Sequence, residues 1–255
     1  MSVVRVLGCM HPALQPFVFK RGGIKVQNRC VLAAMTNKQS HENGVVSDDE
    51  VRWLEARAKG GFGIVCTAAT HVELDGKGWN GAFGTFSDDF IPGLRKMAKS
   101  IKTHGALAIA QLFHGGVRAP EDLTNVQPKS ASVHTVAHDV TSRAMDEAEI
   151  LATIRAFGEA ARRCEEAGFD GVELHGAHGY LISQFLGPKS NFRADAWGGS
   201  APARHRFLAS IVNEVRRQTT AKFLLGVRLS PIQAPTGTSL EHTKLTVEAS
   251  QDWNL

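Results

Sequence analysis

DEAEILATIRAFGEAARRCEEAGFDGVELH, residues 146–175, contains a helix, its stop signal and the strand that follows. Ile150, Ile154, Phe157, Ala161 and Cys164 recur close to the i, i+3, i+4, i+7 spacing of an amphipathic helix, which is predicted over 146–167. Gly168 stops it, because glycine enters the left-handed conformation at a helix end without a Cβ penalty. GVELH, residues 171–175, then reads as a short strand. A helix handing over to a strand through a glycine is the repeating unit of a parallel sheet.

The same rhythm extends in both directions. Strands are predicted at 29–35, 63–69, 106–112 and 223–229, and helices at 47–59, 88–103 and 204–218. Ser47 and Glu50 form a capping box, Gly60-Gly61 ends that helix, and Gly105 ends the next. The strands are nearly continuous apolar runs, as expected where helices cover both faces. Residues 113–143 form a long polar excursion with two prolines, and loops of that length in a compact domain are usually functional. Residues 231–255 show few large apolar residues and no periodicity, so an irregular tail is expected after a folded unit at 1–230.

Two architectures accommodate five such units: an open doubly wound sheet, or a (β/α)8 TIM barrel with about five of its eight units present. The first requires a glycine-rich phosphate turn after the first strand, and none is there. Gly76, Gly78 and Gly81 spell G-x-G-x-x-G, but they follow the second strand and open no helix. The α/β barrel, incomplete, is the expected fold.

Composition narrows the function. An apolar fraction of 43% over 255 residues supports a real core. The net charge of +4 is scattered, with no basic block, which argues against nucleic acid as a partner. No run approaches transmembrane length, so no membrane partner is expected. Of four cysteines none forms C-x-x-C, and Cys30 and Cys66 sit in apolar runs as buried thiols do. Residues 1–10 lack the pattern of a signal peptide, so a cytoplasmic setting is expected.

VELHGAHGY, residues 172–180, is the strongest chemical feature. His175 ends a strand, at the rim where parallel barrels build active sites. His178, three residues on, can converge with it on one oxygen and stabilise developing negative charge. Tyr180, the single tyrosine, offers a general acid. Two blander readings stand beside this: a satisfied strand-end histidine with a loop neighbour, or a pair of metal ligands, as in a metal-dependent hydrolase, although no carboxylate or cysteine lies nearby in sequence. Thr36, Gln111 and Arg228 also fall at strand ends. Each alone reads as a turn residue, a core amide or half an ion pair, but together they would surround one cavity.

These residues resemble the Old Yellow Enzyme or NADH:flavin oxidoreductase family, and most closely its bacterial xenobiotic-reductase branch. The likeness runs over residues 16–231. Its most specific part is 168–207, which joins the H-x-x-H-x-Y site to Ser190-Asn191-x-Arg193-x-Asp195-x-Trp197-Gly198-Gly199-Ser200. NRCVLAAMT (28–36), AIAQLFHGGVR (108–118) and GVRLSP (226–231) match as well. The resemblance implies FMN as cofactor, held by Ala33, Ala34, Met35, Thr36, Ala69, Gln111 and Arg228. It implies hydride transfer from NADPH or NADH through FMN to an electron-poor alkene or related xenobiotic. His175 and His178 would bind the substrate oxygen, and Tyr180 would deliver the proton. The partner is thus a small molecule, and a homo-oligomer is compatible with the sequence.

The pattern is departed from in places. Ala34 stands where the family has proline, and Thr36 where some relatives have cysteine. Lys38 replaces a substrate-contacting tyrosine and is a candidate substrate-binding residue. Beyond residue 231 the likeness is expected to be lost, together with the loops that hold the cofactor phosphate in such barrels. Weak FMN binding by these 255 residues is therefore expected unless a partner copy closes the barrel. The alternative is a non-catalytic product or pseudoenzyme unable to hold FMN.

Overall fold

The computed structural model describes residues 11–135, 140–253 and 255. Residues 1–10, the segment read for a leader and the one containing Cys9, lie outside the described residues. A short antiparallel hairpin, β1 (Phe17–Val18) and β2 (Lys25–Val26), opens the described chain. Then follow β3 (Val31–Leu32), α1 (Asp48–Lys59), β4 (Ile64–His71), α2 (Ile91–Lys102) and β5 (Leu107–Phe113). The excursion contributes α3 (Glu121–Thr124), β6 (Lys129–Ser130) and β7 (Arg143–Ala144). It leads into α4 (Glu147–Ala167), β8 (Gly171–Gly176), α5 (Leu181–Leu186), α6 (Ala201–Gln218), β9 (Leu224–Leu229) and α7 (Leu240–Ser250).

The main sheet has the order β3-β4-β5-β8-β9, parallel throughout. Spatial order follows chain order with no reversal. A doubly wound sheet reverses at its switch point, whereas successive neighbours all in one direction are the geometry of a barrel wall. The core lies between this wall and the helices. Leu54, Val65, Leu94, Met97, Ile101, Ala108, Phe157, Leu174 and Ile211 are fully buried there.

Local signals explain most elements. In α4 the capping box is complete: Asp146 accepts from the Glu149 N–H at 2.8 Å, and the Glu149 carboxylate accepts from the Asp146 N–H at 3.1 Å. Gly168 closes the helix at φ +95°. In α1 only half the expected box forms. Ser47 caps the Glu50 N–H at 3.1 Å, but the Glu50 side chain turns inward to Ser40 and Asn37, and burial raises its carboxyl pKa.

Three expectations are corrected. The strand predicted at 29–35 pairs only at Val31–Leu32, because the chain then leaves the ladder to run along the rim. The α6 helix starts earlier than residue 204, at Ala201, where Ser200 caps the Ala203 N–H and proline occupies the first turn. Residues 231–255 are not an irregular tail. Ser239 and His242 form a reciprocal cap that opens α7, which lies beside α6. Thr246 contacts the His205 ring nitrogen at 3.1 Å, and Trp253 packs on the core. This segment is the helix of the fifth β/α unit. Its weak apolar content reflects a helix that buries little: Leu240, Leu245 and Val247 stay exposed.

The close approach of β8 and β9 gives a direct test of this register. A Cβ on Gly171 would stand 2.4 Å from the Leu224 carbonyl oxygen, whereas one on Gly226 meets nothing within 4 Å. We expect Gly171→Ala to cost at least ~1 kcal/mol, lowering the melting temperature by about 2–4 °C per kcal/mol. Gly226→Ala should change stability by less than about 0.5 kcal/mol. Thermal denaturation of both variants checks the pairing.

Candidate active site

The C-terminal ends of the parallel strands form one rim. Ala69 pairs with Gln111 across β4 and β5, Gln111 with Glu173 across β5 and β8, and His175 with Arg228 across β8 and β9. Groups 194 residues apart in sequence meet at this rim: the Arg228 guanidinium donates to the Ala34 backbone carbonyl at 3.1 Å. A cavity of about 260 Å³ opens at this rim. Ala34, Met35, Thr36, Ala69, Gln111, His175, His178, Tyr180 and Arg228 all line it, joined by Trp79. Two of the residues singled out from sequence are not in its wall: Ala33 and the exposed Lys38.

His175 is 4% exposed. Its Nδ1 accepts the Ala177 N–H at 3.3 Å, so in the neutral ring the proton sits on Nε2, which is left as a donor. Burial lowers its pKa to about 3, with the positive fields of His178, Arg228 and Arg118 adding to the effect. His178 is also shifted downward, first by desolvation and then by Arg228 and Arg118. His178 adopts a left-handed backbone at φ +58°. That turn is held from both sides: its N–H donates to Ser230 Oγ at 3.1 Å, and its carbonyl accepts from Arg118.

The rings of His175 and His178 lie 5.0 Å apart and nearly perpendicular, and Tyr180 is 4.9 Å from His175. Phe113 meets Tyr180 edge-on at 5.3 Å and stacks on Trp79 at 4.9 Å. The Arg118 guanidinium lies 4.9 Å over the Tyr180 ring. Aromatic packing of this kind holds the phenol in one orientation. Gln111, 2% exposed, donates from its amide to Glu173 at 2.6 Å.

Trp79 escaped the sequence reading. It lies within the glycine-containing run 76–81, where the glycines serve backbone approach rather than phosphate binding. Gly81 has φ +75°, and a Cβ there would stand 2.5 Å from the Lys38 carbonyl oxygen. An aromatic between such glycines was the available signal. A metal-hydrolase reading needs a third ligand beside His175 and His178, and the described residues gather none there. The ligand-type cluster among them, Glu73, Asp75 and His114, is bound instead to the Lys129 ammonium, 2.8 Å from Asp75 and 3.4 Å from Glu73.

A one-directional parallel wall with donors gathered at its C-terminal rim is the wall of a (β/α)8 barrel with its site at that rim. The chain belongs to the NADH:flavin oxidoreductase / NADH oxidase family, whose model matches residues 14–252. That match carries the likeness through α7, beyond the expected break at residue 231. Over 251 residues the chain is 41% identical to the probable NADH-dependent flavin oxidoreductase YqiG of Bacillus subtilis, covering 96% of this chain and 67% of that protein. It is 37% identical to an NADPH dehydrogenase of Halalkalibacterium halodurans, covering 89% of this chain and 65% of the relative. The chain thus spans about two-thirds of the length of these relatives. The old yellow enzyme homologue of Zymomonas mobilis superposes with a TM-score of 0.84 at 26% identity, over 94% of this chain and 70% of that one.

The family implies FMN, with NADH or NADPH as reductant. The donor set at the rim fits a flavin ring. Arg228 has a backbone carbonyl as its partner and no carboxylate ion pair among the described residues, so its charge is available to a ring that becomes anionic on reduction. Among the described residues no helix is long and apolar enough to cross a membrane.

The buried state of His175 predicts a pH dependence. The unfolded chain takes up a proton near pH 6.5, and the folded site resists it down to about 3. Stability is therefore fullest above about pH 6.5 and falls as the pH drops toward 3, by up to about 1.4 kcal/mol per pH unit for this one group. Urea unfolding between pH 7 and 4 should show a shallower acid loss in His175→Asn than in the parent.

Proposed function

We propose that this rim reduces an activated, electron-poor alkene or related xenobiotic, with NADPH or NADH as the reductant. When bound, FMN supplies the hydride-accepting and hydride-donating chemistry. Ala34, Met35, Thr36, Ala69 and Gln111 would hold the ring, and Arg228 would balance negative charge on it; Ala33 lies outside that wall.

The observation that carries this reading is the arrangement of His175, His178 and Tyr180 around a single cavity. His175 stays neutral, so its Nε2–H donates to a substrate carbonyl or nitro oxygen at any physiological pH without surrendering its proton. His178, held by Ser230 and Arg118, gives a second donor from the loop side. Two donors on one oxygen stabilise the negative charge that builds there as the alkene is reduced. The Tyr180 hydroxyl then delivers a proton to the carbon adjacent to the carbonyl. Phe113 packs edge-on against the phenol ring, with Trp79 stacked behind it.

Tyr180→Phe separates the two half-reactions. With FMN-loaded protein we expect 2-cyclohexenone turnover to fall by about 10²- to 10⁴-fold. Anaerobic bleaching of the flavin by NADPH, which needs no proton from the phenol, should proceed. An unchanged alkene rate in Tyr180→Phe would remove the phenol from the mechanism. A protein that shows no flavin spectrum after reconstitution would favour a non-catalytic role.

A further inference from the structure

Gln111 ends in an amide whose two halves, a carbonyl oxygen and an NH2, have nearly the same shape and opposite hydrogen-bonding character. The half that faces the cavity decides what the cavity can bind. The backbone of Gln111 is fixed by the ladder of β4, β5 and β8, and its N–H donates to Thr67 Oγ1 at 3.3 Å. Its Nε2 donates to the Glu173 carboxylate at 2.6 Å. The reversed amide would press two acceptor oxygens together at that distance, since a carboxylate only accepts. Oε1 is thereby turned away from Glu173. It has no hydrogen-bond partner among the described residues, although the side chain lines the cavity. Glu173 is itself committed to this one side-chain partner among the described residues, and its neighbour on β9 is Gly226, which brings no side chain. The Cys66 thiol below records where the carboxylate lies: burial pushes its pKa up to about 12, with Glu173 adding to the rise and Arg228 opposing it.

Thr36, His175 and Arg228 offer the cavity donors suited to carbonyl oxygens or negative charge, and Gln111 Oε1 is an acceptor placed among them. The oxidised isoalloxazine ring carries a single N–H, on its pyrimidine edge between two carbonyls. We propose that Glu173 is a positioning residue for flavin recognition: it holds the Gln111 amide by its NH2, so that Oε1 faces the cavity and accepts that N–H. This inference rests on the assignment of the rim to FMN. It names a residue behind the cavity wall on which the selectivity of that wall depends. Without Glu173 the amide is free to reverse and to set N–H against N–H, leaving both donors unsatisfied.

A double-mutant cycle read by quenching of FMN fluorescence tests this role. Glu173→Leu should weaken FMN binding about tenfold, and Glu173→Gln, whose amide oxygen accepts the same N–H, should stay within about threefold of the parent. In a Gln111→Ala background the leucine substitution should change the affinity by less than about twofold, because no amide is left to orient. An equal loss in both backgrounds would make Glu173 a structural brace and overturn the inference. A second pair of variants gives the answer even where the leucine variant does not fold. Gln111→Glu sets two carboxylates against each other and should weaken FMN about tenfold. Adding Glu173→Gln restores an N–H donor facing a carboxylate and should recover most of that loss; a pair that recovers nothing would overturn the inference. Parent-like binding in Glu173→Leu would overturn it and leave the flavin rim standing. A parent protein that quenches no FMN would remove the rim assignment and this inference together.

Discussion

The parallel pairing of β8 with β9 is the constraint on which the site depends. It sets His175 directly opposite Arg228, and the pairing of β5 with β8 on the other side sets Gln111 opposite Glu173. Parallel strands end at the same rim, so Ala69, Gln111, His175 and Arg228 arrive on one side of the sheet, where the loops after the strands add Thr36, Trp79, His178 and Tyr180. The same pairing accounts for the electrostatics. Arg228 lies close enough to join burial and His178 in holding His175 neutral, and the neutral ring is the form that offers a fixed Nε2–H.

The residues with the strongest family signature serve this constraint indirectly. Asn191 donates to the carbonyls of Phe185 and Trp197, both at 2.8 Å. Arg193 donates to the carbonyls of Ala131 and Met145 and forms a fork with Asp195. The Asn191 bonds brace the segment after α5, and those of Arg193 tie it to the second half of the polar excursion and the start of α4. Ser130 and Lys129 add a second tie, through Gln184 at 2.8 Å and through the Glu73 and Asp75 carboxylates. The burial of Lys129 among those acids, with His114, makes a polar network that is fully occupied. The excursion is thus clamped over the rim.

Much of this was legible in the sequence because parallel strands and their helices leave strong periodic marks. The helix at Glu147–Ala167 carries a full capping box, an apolar stripe and a glycine stop, and all three are realised. The rim residues could be foreseen because strand-end position follows from strand position. What escaped was set by tertiary contact. Trp79 reaches the cavity only through its stack on Phe113. The α5 helix is one and a half turns long and is wholly buried, so it shows no polar face to give a period. The α7 helix has the opposite problem: it buries almost nothing, and its cap uses His242 where a glutamate is the usual mark. Lys38 was a substrate-binding candidate because it replaces a substrate-contacting tyrosine of the family, yet the backbone turns through φ +54° there and leaves it outside the cavity wall.

The central claim is that Gln111 and Arg228 belong to a single ring-binding rim. Fluorescence quenching of FMN on titration with the protein tests it most directly, comparing the parent with a Gln111→Ala, Arg228→Ala double variant. The account predicts saturable quenching at one site per chain, weakened by tenfold or more in the variant. Quenching that is identical in the two proteins would place the flavin elsewhere and contradict the account.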